Sequence, residues 1–313
     1  MNGTNSESTN EAVENRNKAR PKRKRSQWFD VWRRLRRNPI GMIGLFIVVV
    51  LILTAIFADV ISPAIEDPYL GTVPAYEFQD LQNRNLFPSL EHPFGTDNFG
   101  RSIFDRVVHG SRISLLVGFI VVGISMVVGV FMGTIAGYYG KLIDNAIMRV
   151  IDIIMAIPFI LLAISIAAAL GAGLVNVMIA IGITNIPYFA RQVRSSVLSV
   201  REQEFIEAAK AVGTSDLRIM FRHIIPNCMA PIIIRATMGM AGAILSAAAL
   251  SFIGLGIEPP TPEWGAMLSE GQRFIRDYWQ STLFPGLAIA LVVFGLNMLG
   301  DGLRDALDPR LKQ

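Results

Sequence analysis

The sequence predicts an all-α integral membrane protein with six transmembrane helices, and three observations carry that prediction. Of 313 residues, 52% are hydrophobic and only 17% are charged, with a mean hydropathy of +0.44, well away from the values of a soluble domain. Several runs without charge reach the roughly 18 residues or more that a helix needs to cross a hydrocarbon core of about 30 Å. The short alternating segments of a transmembrane barrel are missing, and helices satisfy their own backbone polar groups in lipid.

Taken in order, residues 1 to about 25 are polar and nearly free of large apolar side chains, so they are expected to form a disordered tail. The stretch "SQWFDVWRRLRRNP" sets Trp28, Trp32 and Leu35 at helical spacing with arginines between them. It reads as a short helix at the membrane surface or as a purely topogenic basic cluster. Residues 1–37 are thus a basic tail plus an interfacial helix. The first span, within 38–61, follows from the uncharged run Asn38 to Ala58.

Residues 62–111, rich in proline and glycine, form an outside segment too small for a conventional domain. Residues 112–303 form the membrane core with spans two to six, and 304–313 form a tail. The second span is the run Ile113 to Gly140, in which Gly129, Gly133 and Gly137 fall four apart on one helix face. Such a small-residue seam lets another helix pack closely. Ile153 to Ala190 is uncharged but too long for one crossing, and "GAGLVN" at Gly171 to Asn176 divides it into spans three and four. The fifth span runs from about Met229 to Ile257 and the sixth from about Ser281 to Gly300.

Lysines and arginines before the first span favour a cytoplasmic N-terminus, and six crossings return the C-terminus to the same side. Arg84, Arg101, Arg106 and Arg112 on the outside segment count against this orientation. A cleaved signal peptide does not fit, because the leading polar segment and the apolar run are both too long. Cys228 is the single cysteine, so no disulfide forms within the chain. Trp264 and Trp279, on the outside connection between spans five and six, read as interfacial anchors rather than ligand contacts.

Catalytic chemistry finds no constellation. His92, His109 and His223 are scattered and fall on different predicted sides of the membrane, which makes a metal site built from them geometrically awkward. No G-x-x-x-x-G-K-[ST] phosphate loop is present. Mid-membrane acids of the kind used for ion coupling are avoided, with Asp144, Asp152 and Asp301 near span ends. Arg235, about two turns inside the fifth span, either snorkels to the surface or lines a pathway. Asn185 and Asn297 are open to a pathway role or to plain interhelical hydrogen bonding.

The polar segment 200–227 interrupts this pattern. Phe205, Ile206, Ala208, Ala209 and Val212 make the apolar side of a short helix, while Glu202, Glu207 and Lys210 project elsewhere. Gly213 is placed to end that helix in the left-handed conformation. Thr214 or Ser215 can cap a second helix, Asp216 favours its N-terminal end, and Pro226 marks its stop. Helix, sharp turn and helix make a docking shape, with alanines narrow enough to enter a groove on a partner, and the segment is long for a plain linker.

At these residues the sequence resembles the inner-membrane permease subunits of ABC importers. The resemblance rests on Glu207, Ala208, Ala209 and Gly213, followed by Ile225 and Pro226, with His223 and Ile225 departing from the general pattern. "HPFGTDNFGRSIFDRVVHGSRISLLVG", "SFIGLGIEPPTPEWGAML" and "GDGLRDALDPRL" are similar to the C-type permeases of the dipeptide and oligopeptide branch, and the likeness runs from about Arg37 to the end. The resemblance implies a cytoplasmic coupling helix between spans four and five, with Glu207, Ala208, Ala209, Lys210, Gly213, Arg218 and Pro226 meeting an ATPase. It also implies a homologous second permease, two ATP-binding subunits and an extracytoplasmic peptide-binding protein, and no nucleic acid. ATP and Mg would belong to the partner ATPases, and this chain would bind no cofactor. Relatives of this group also import nickel complexes, glutathione and other small solutes. An ion-coupled carrier working alone is the reading from a different class.

Overall fold

The computed structural model describes residues 27–67, 71–257 and 259–307. The expected disordered tail, the side chain of Trp28 and the chain from 308 onward lie outside the described residues. The chain opens with α1 (Gln27–Leu35), α2 (Pro39–Ile56) and α3 (Ala58–Ile61). Asn38 caps α2 by accepting the Gly41 N–H at 3.1 Å, and Pro39 occupies the first turn, where no N–H is needed. An antiparallel hairpin of β1 (Ile65–Asp67) and β2 (Gly71–Val73) pairs Ile65 with Val73.

The helical body continues with α4 (Ile103–Tyr139), α5 (Lys141–Ala156), α6 (Phe159–Leu170) and α7 (Leu174–Arg201). A connector follows: α8 (Glu204–Ala211), α9 (Asp216–Ile219), a π-helical turn (Met220–Ile224) and α10 (Ile225–Asn227). Then come α11 (Met229–Phe252), α12 (Trp264–Gly271) and α13 (Gln280–Leu307). Among the described residues α2, α4, α7, α11 and α13 are long and apolar enough to cross a membrane, and α5 with α6 makes a sixth if the bent pair counts as one span.

That pair is where the expected third crossing differs. Its two helices meet at 89°. Pro158 lacks an N–H and drives Ile157 into an extended conformation, φ −91° and ψ 132°, which breaks the helix inside the uncharged run. α6 alone has 12 residues, or about 18 Å, short of the hydrocarbon core. The charged α5 is tied to α7 instead, with Arg194 gripping buried Asp144 through two hydrogen bonds, the longer 2.6 Å, and Arg191 pairing with Asp152 at 2.5 Å.

α4 and α7 form the central pair. A Cβ on Gly133 would lie 2.5 Å from the Ala190 carbonyl oxygen, and one on Gly137 would lie 2.8 Å from Val197. Gly129 likewise faces Phe189 and Ala190. Only hydrogen at these positions permits the approach. The bundle has two distinct ends. At one, Asn38 donates to Asp305 at 2.8 Å and the connector follows α7, so the start of α2, the close of α4 and the close of α13 lie together. At the other, the hairpin follows α3, after which the Ser62 carbonyl meets His109 of α4 at 3.1 Å, and Gln280 donates to the Leu86 carbonyl at 3.2 Å.

Candidate functional site: the connector and the two ends

The connector is fixed from below and free above. Ile206 and Ile219 are completely buried, in one apolar cluster with Tyr138, Val193, Val197, Ile224 and Ile232. Burying such a side chain stabilises by about 1.5–3 kcal/mol. The remaining apolar side expected of α8 stays outside: Phe205 and Ala208 are exposed, and Val212 is 81% exposed. Ile206, with part-buried Ala209, therefore does the anchoring, because the helix meets the bundle along one narrow line.

The turn after α8 is a Schellman motif. The Gly213 N–H donates to the Lys210 carbonyl at 2.9 Å and the Thr214 N–H to the Ala209 carbonyl at 3.1 Å. Gly213 has φ +74° with open space around it, so the backbone and not crowding requires glycine here. Ser215 occupies the cap position of α9, but its hydroxyl makes no capping bond. Pro226 does not stop the second helix. It sits in the first turn of α10, beyond a π turn whose shifted hydrogen bonds absorb its missing N–H, and the path continues into α11.

Polar contacts brace the connector. Tyr138 donates its hydroxyl to Asp216 at 2.6 Å, and the Lys210 ammonium lies 5.3 Å from the Tyr138 ring centroid. Arg201 donates to the Gly137 and Tyr138 carbonyls at 3.0 and 3.2 Å, meeting the negative end of α4 with a cation. Glu207, Ala208, Gly213, Arg218 and Pro226 are all exposed.

The opposite end is built on buried charge. Arg101 and Arg106 are each 2% exposed, and both donate to Asp97 at 2.7 Å and to Glu270 at 2.7–2.8 Å. Asp97 also accepts the backbone N–H groups of Phe99 and Arg101. Arg112 reaches Asp59 at 2.9 Å and the Ala55 carbonyl at 2.6 Å. Three of the four arginines that count against the expected orientation are thus held in local ion pairs. A cavity of about 530 Å³ opens beside the network, bordered by Gln79, Phe99, Arg101, Glu270 and Arg273.

Trp264 is no interfacial anchor: it is 1% exposed, its indole N–H donates to the Val107 carbonyl at 3.0 Å, and it packs on Gly110. Trp279 is exposed. Asn185 donates to the Ile181 carbonyl one turn back at 2.9 Å. Arg235 lies over the rings of Tyr188 and Phe189, and Asn297 is half-buried on α13. The connector residues thus gather at one end, while Arg235, Asn185 and Asn297 lie in the bundle. Reading the sequence missed the four-residue charge network, because Glu270 lies 164 residues from Arg106.

Residues 129–313 match the family described as binding-protein-dependent transport system inner membrane component. Residues 26–88 match the N-terminal TM domain of oligopeptide transport permease C. The chain is 52% identical over 287 residues to a dipeptide transport system permease protein, DppC, of Alkalihalophilus pseudofirmus, covering 92% of this chain and 91% of that one. It is 46% identical over 293 residues to a glutathione transport system permease protein, GsiD, of Escherichia coli, covering 94% of each. An inward-facing structure of the MetNI methionine ABC transporter shares the fold, with a TM-score of 0.54 at 19% identity, over 66% of this chain and 98% of that one. The chain therefore belongs to the inner-membrane permease components of binding-protein-dependent ABC transport systems.

Proposed function

We propose that this chain is one of two homologous permeases in an ATP-driven importer of short peptides. Two ATP-binding subunits dock beneath the connector, which faces the cytoplasm together with both chain termini. A peptide-binding protein delivers cargo at the hairpin end. The chain has no ATPase site of its own, and ATP and Mg act in the partner subunits.

The observation that carries this reading is the connector. An exposed α8 presents Glu207, Ala208 and Val212, while Ile206 and the Gly213 turn fix its position relative to α4 and α7. A rigid protrusion of that kind transmits displacement. Closure of the ATPases carries α8 with it, and α8 moves the bundle to which its own Ile206, and Ile219 of the following α9, fasten the connector. Transport is then a population shift between inward-open and outward-open states driven by hydrolysis in a partner.

Peptide cargo is supported by 52% identity to the dipeptide permease. Glutathione, itself a tripeptide, is a second cargo reading favoured by 46% identity to the glutathione permease. Uptake of labelled peptide into vesicles containing the full complex is expected to require ATP, both ATPases and the binding protein. Uptake by the purified single chain on an ion gradient would refute the proposal.

A further inference from the structure

We propose that the connector-side half of the bundle holds an oxyanion subsite, built on Arg235 with Arg304 and Gln192 beside it, that receives the cargo's carboxylate during passage. The proposal rests on the peptide-import reading and adds to it a recognition step inside the membrane chain. Gln192, Arg235, Met238 and Arg304 border one cavity of about 320 Å³.

Arg235 has the environment of a cation awaiting a counter-charge. It stands six residues into α11, about 9 Å along the helix. Its Nε is closed off from solvent and has no hydrogen-bond partner among the described residues. No carboxylate among them pairs with it. The guanidinium carbon instead lies 5.2 Å from the Tyr188 ring centroid and 5.9 Å from that of Phe189, and Phe189 is 2% exposed. A snorkelling arginine extends toward the surface. This one keeps its guanidinium against α7, over the part-exposed ring of Tyr188 and, farther off, the buried ring of Phe189.

The surrounding faces agree with a watery passage. On α7, Asn185, Tyr188 and Gln192 recur at helical spacing on one face, and on α13 Asn297, Asp301 and Arg304 do the same. Ionisable groups in membrane helices face a bundle interior or a water-filled cavity, because lipid cannot solvate them. Asp301 pairs with neither arginine among the described residues, so two guanidiniums outnumber it. A planar guanidinium fork matches a carboxylate in a way that an ammonium does not. The free C-terminus of a short peptide supplies that group.

The test uses the full complex in vesicles, the alanine oligomer of two to four residues that the wild type imports fastest, and its C-terminal amide. One binding protein serves all arms, so its own preference cancels from each variant to wild-type ratio. Arg235→Gln is expected to lower uptake of the free acid about tenfold and to lower uptake of the amide far less. Arg235→Lys is expected to recover part of the free-acid rate. Subunit stoichiometry on size exclusion shows that each variant has assembled. An equal fall for both peptides in both variants, or no change in either, overturns the subsite. So does a loss that follows the fraction of phosphatidylglycerol in the vesicles equally for both peptides, which would make the occupant a lipid phosphate. A wild-type complex that imports no peptide contradicts the importer reading itself.

Discussion

The two ends of the bundle solve opposite problems. The hairpin end withdraws four charges from water and joins α4 to α12 through Asp97, Arg101, Arg106 and Glu270. The connector helix α8 leaves Glu204, Glu207 and Lys210 in solvent, and buried Ile206, with Ile219 of α9, fastens the connector to the bundle. A buried ion network tolerates no missing member, because the partner left behind has neither water nor counter-charge. An exposed helix on an apolar peg tolerates surface change without loss of fold. The hairpin end is accordingly stiff, and the connector end is the one whose surface can answer to a partner.

The sharpest way to break this contrast is to remove one member of the network. Arg106→Met should destabilise the chain by about 3–5 kcal/mol, since Asp97 and Glu270 then face each other around Arg101 alone. Thermal unfolding in detergent would read this as a large drop in midpoint, and a shift no bigger than that of a surface substitution would show that the network is hydrated. Next in size is the helix seam: Gly133→Val forces two backbones apart and should cost about 1–3 kcal/mol by the same assay. Glu207→Lys should change stability by less than about 0.5 kcal/mol while lowering peptide-stimulated ATP turnover.

The smallest effect is electrostatic. The Arg112 guanidinium hydrogen-bonded to Asp59 holds that carboxyl below the usual aspartate range. A depressed folded-state value means the pair's contribution is present above the unfolded value, about 3.9, and is lost as pH falls through the folded one. Asp59→Asn should therefore lower the thermal midpoint slightly at pH 7, and the gap to wild type should close as the medium is acidified below that range. A gap that persists in acid would point to packing and not charge.

What the sequence disclosed follows from the range of each interaction. Uncharged runs are local, so α2, α4, α7, α11 and α13 were legible, as was the Gly213 turn, whose partners lie within five residues. Pro158 was in plain view, yet the charge-free run around it hid the bend it causes. Trp264 looked like an anchor because its burial depends on Val107 and Gly110, far upstream. The connector's motif residues were legible by pattern, but their exposure was not, since it depends on which single residue of α8 finds the groove between α4 and α7. Arg235 was visible as a charge in an apolar helix. Its neighbours Gln192 and Arg304 come from two other helices and were not.

The central claim is that α8 passes work between a partner ATPase and the bundle. The most direct measurement is peptide-stimulated ATP turnover by the reconstituted complex carrying Glu207→Lys or Gly213→Pro, the latter demanding a negative φ where the turn has +74°. Both chains are expected to insert and remain folded while stimulation is lost. Normal stimulation in both would contradict the account.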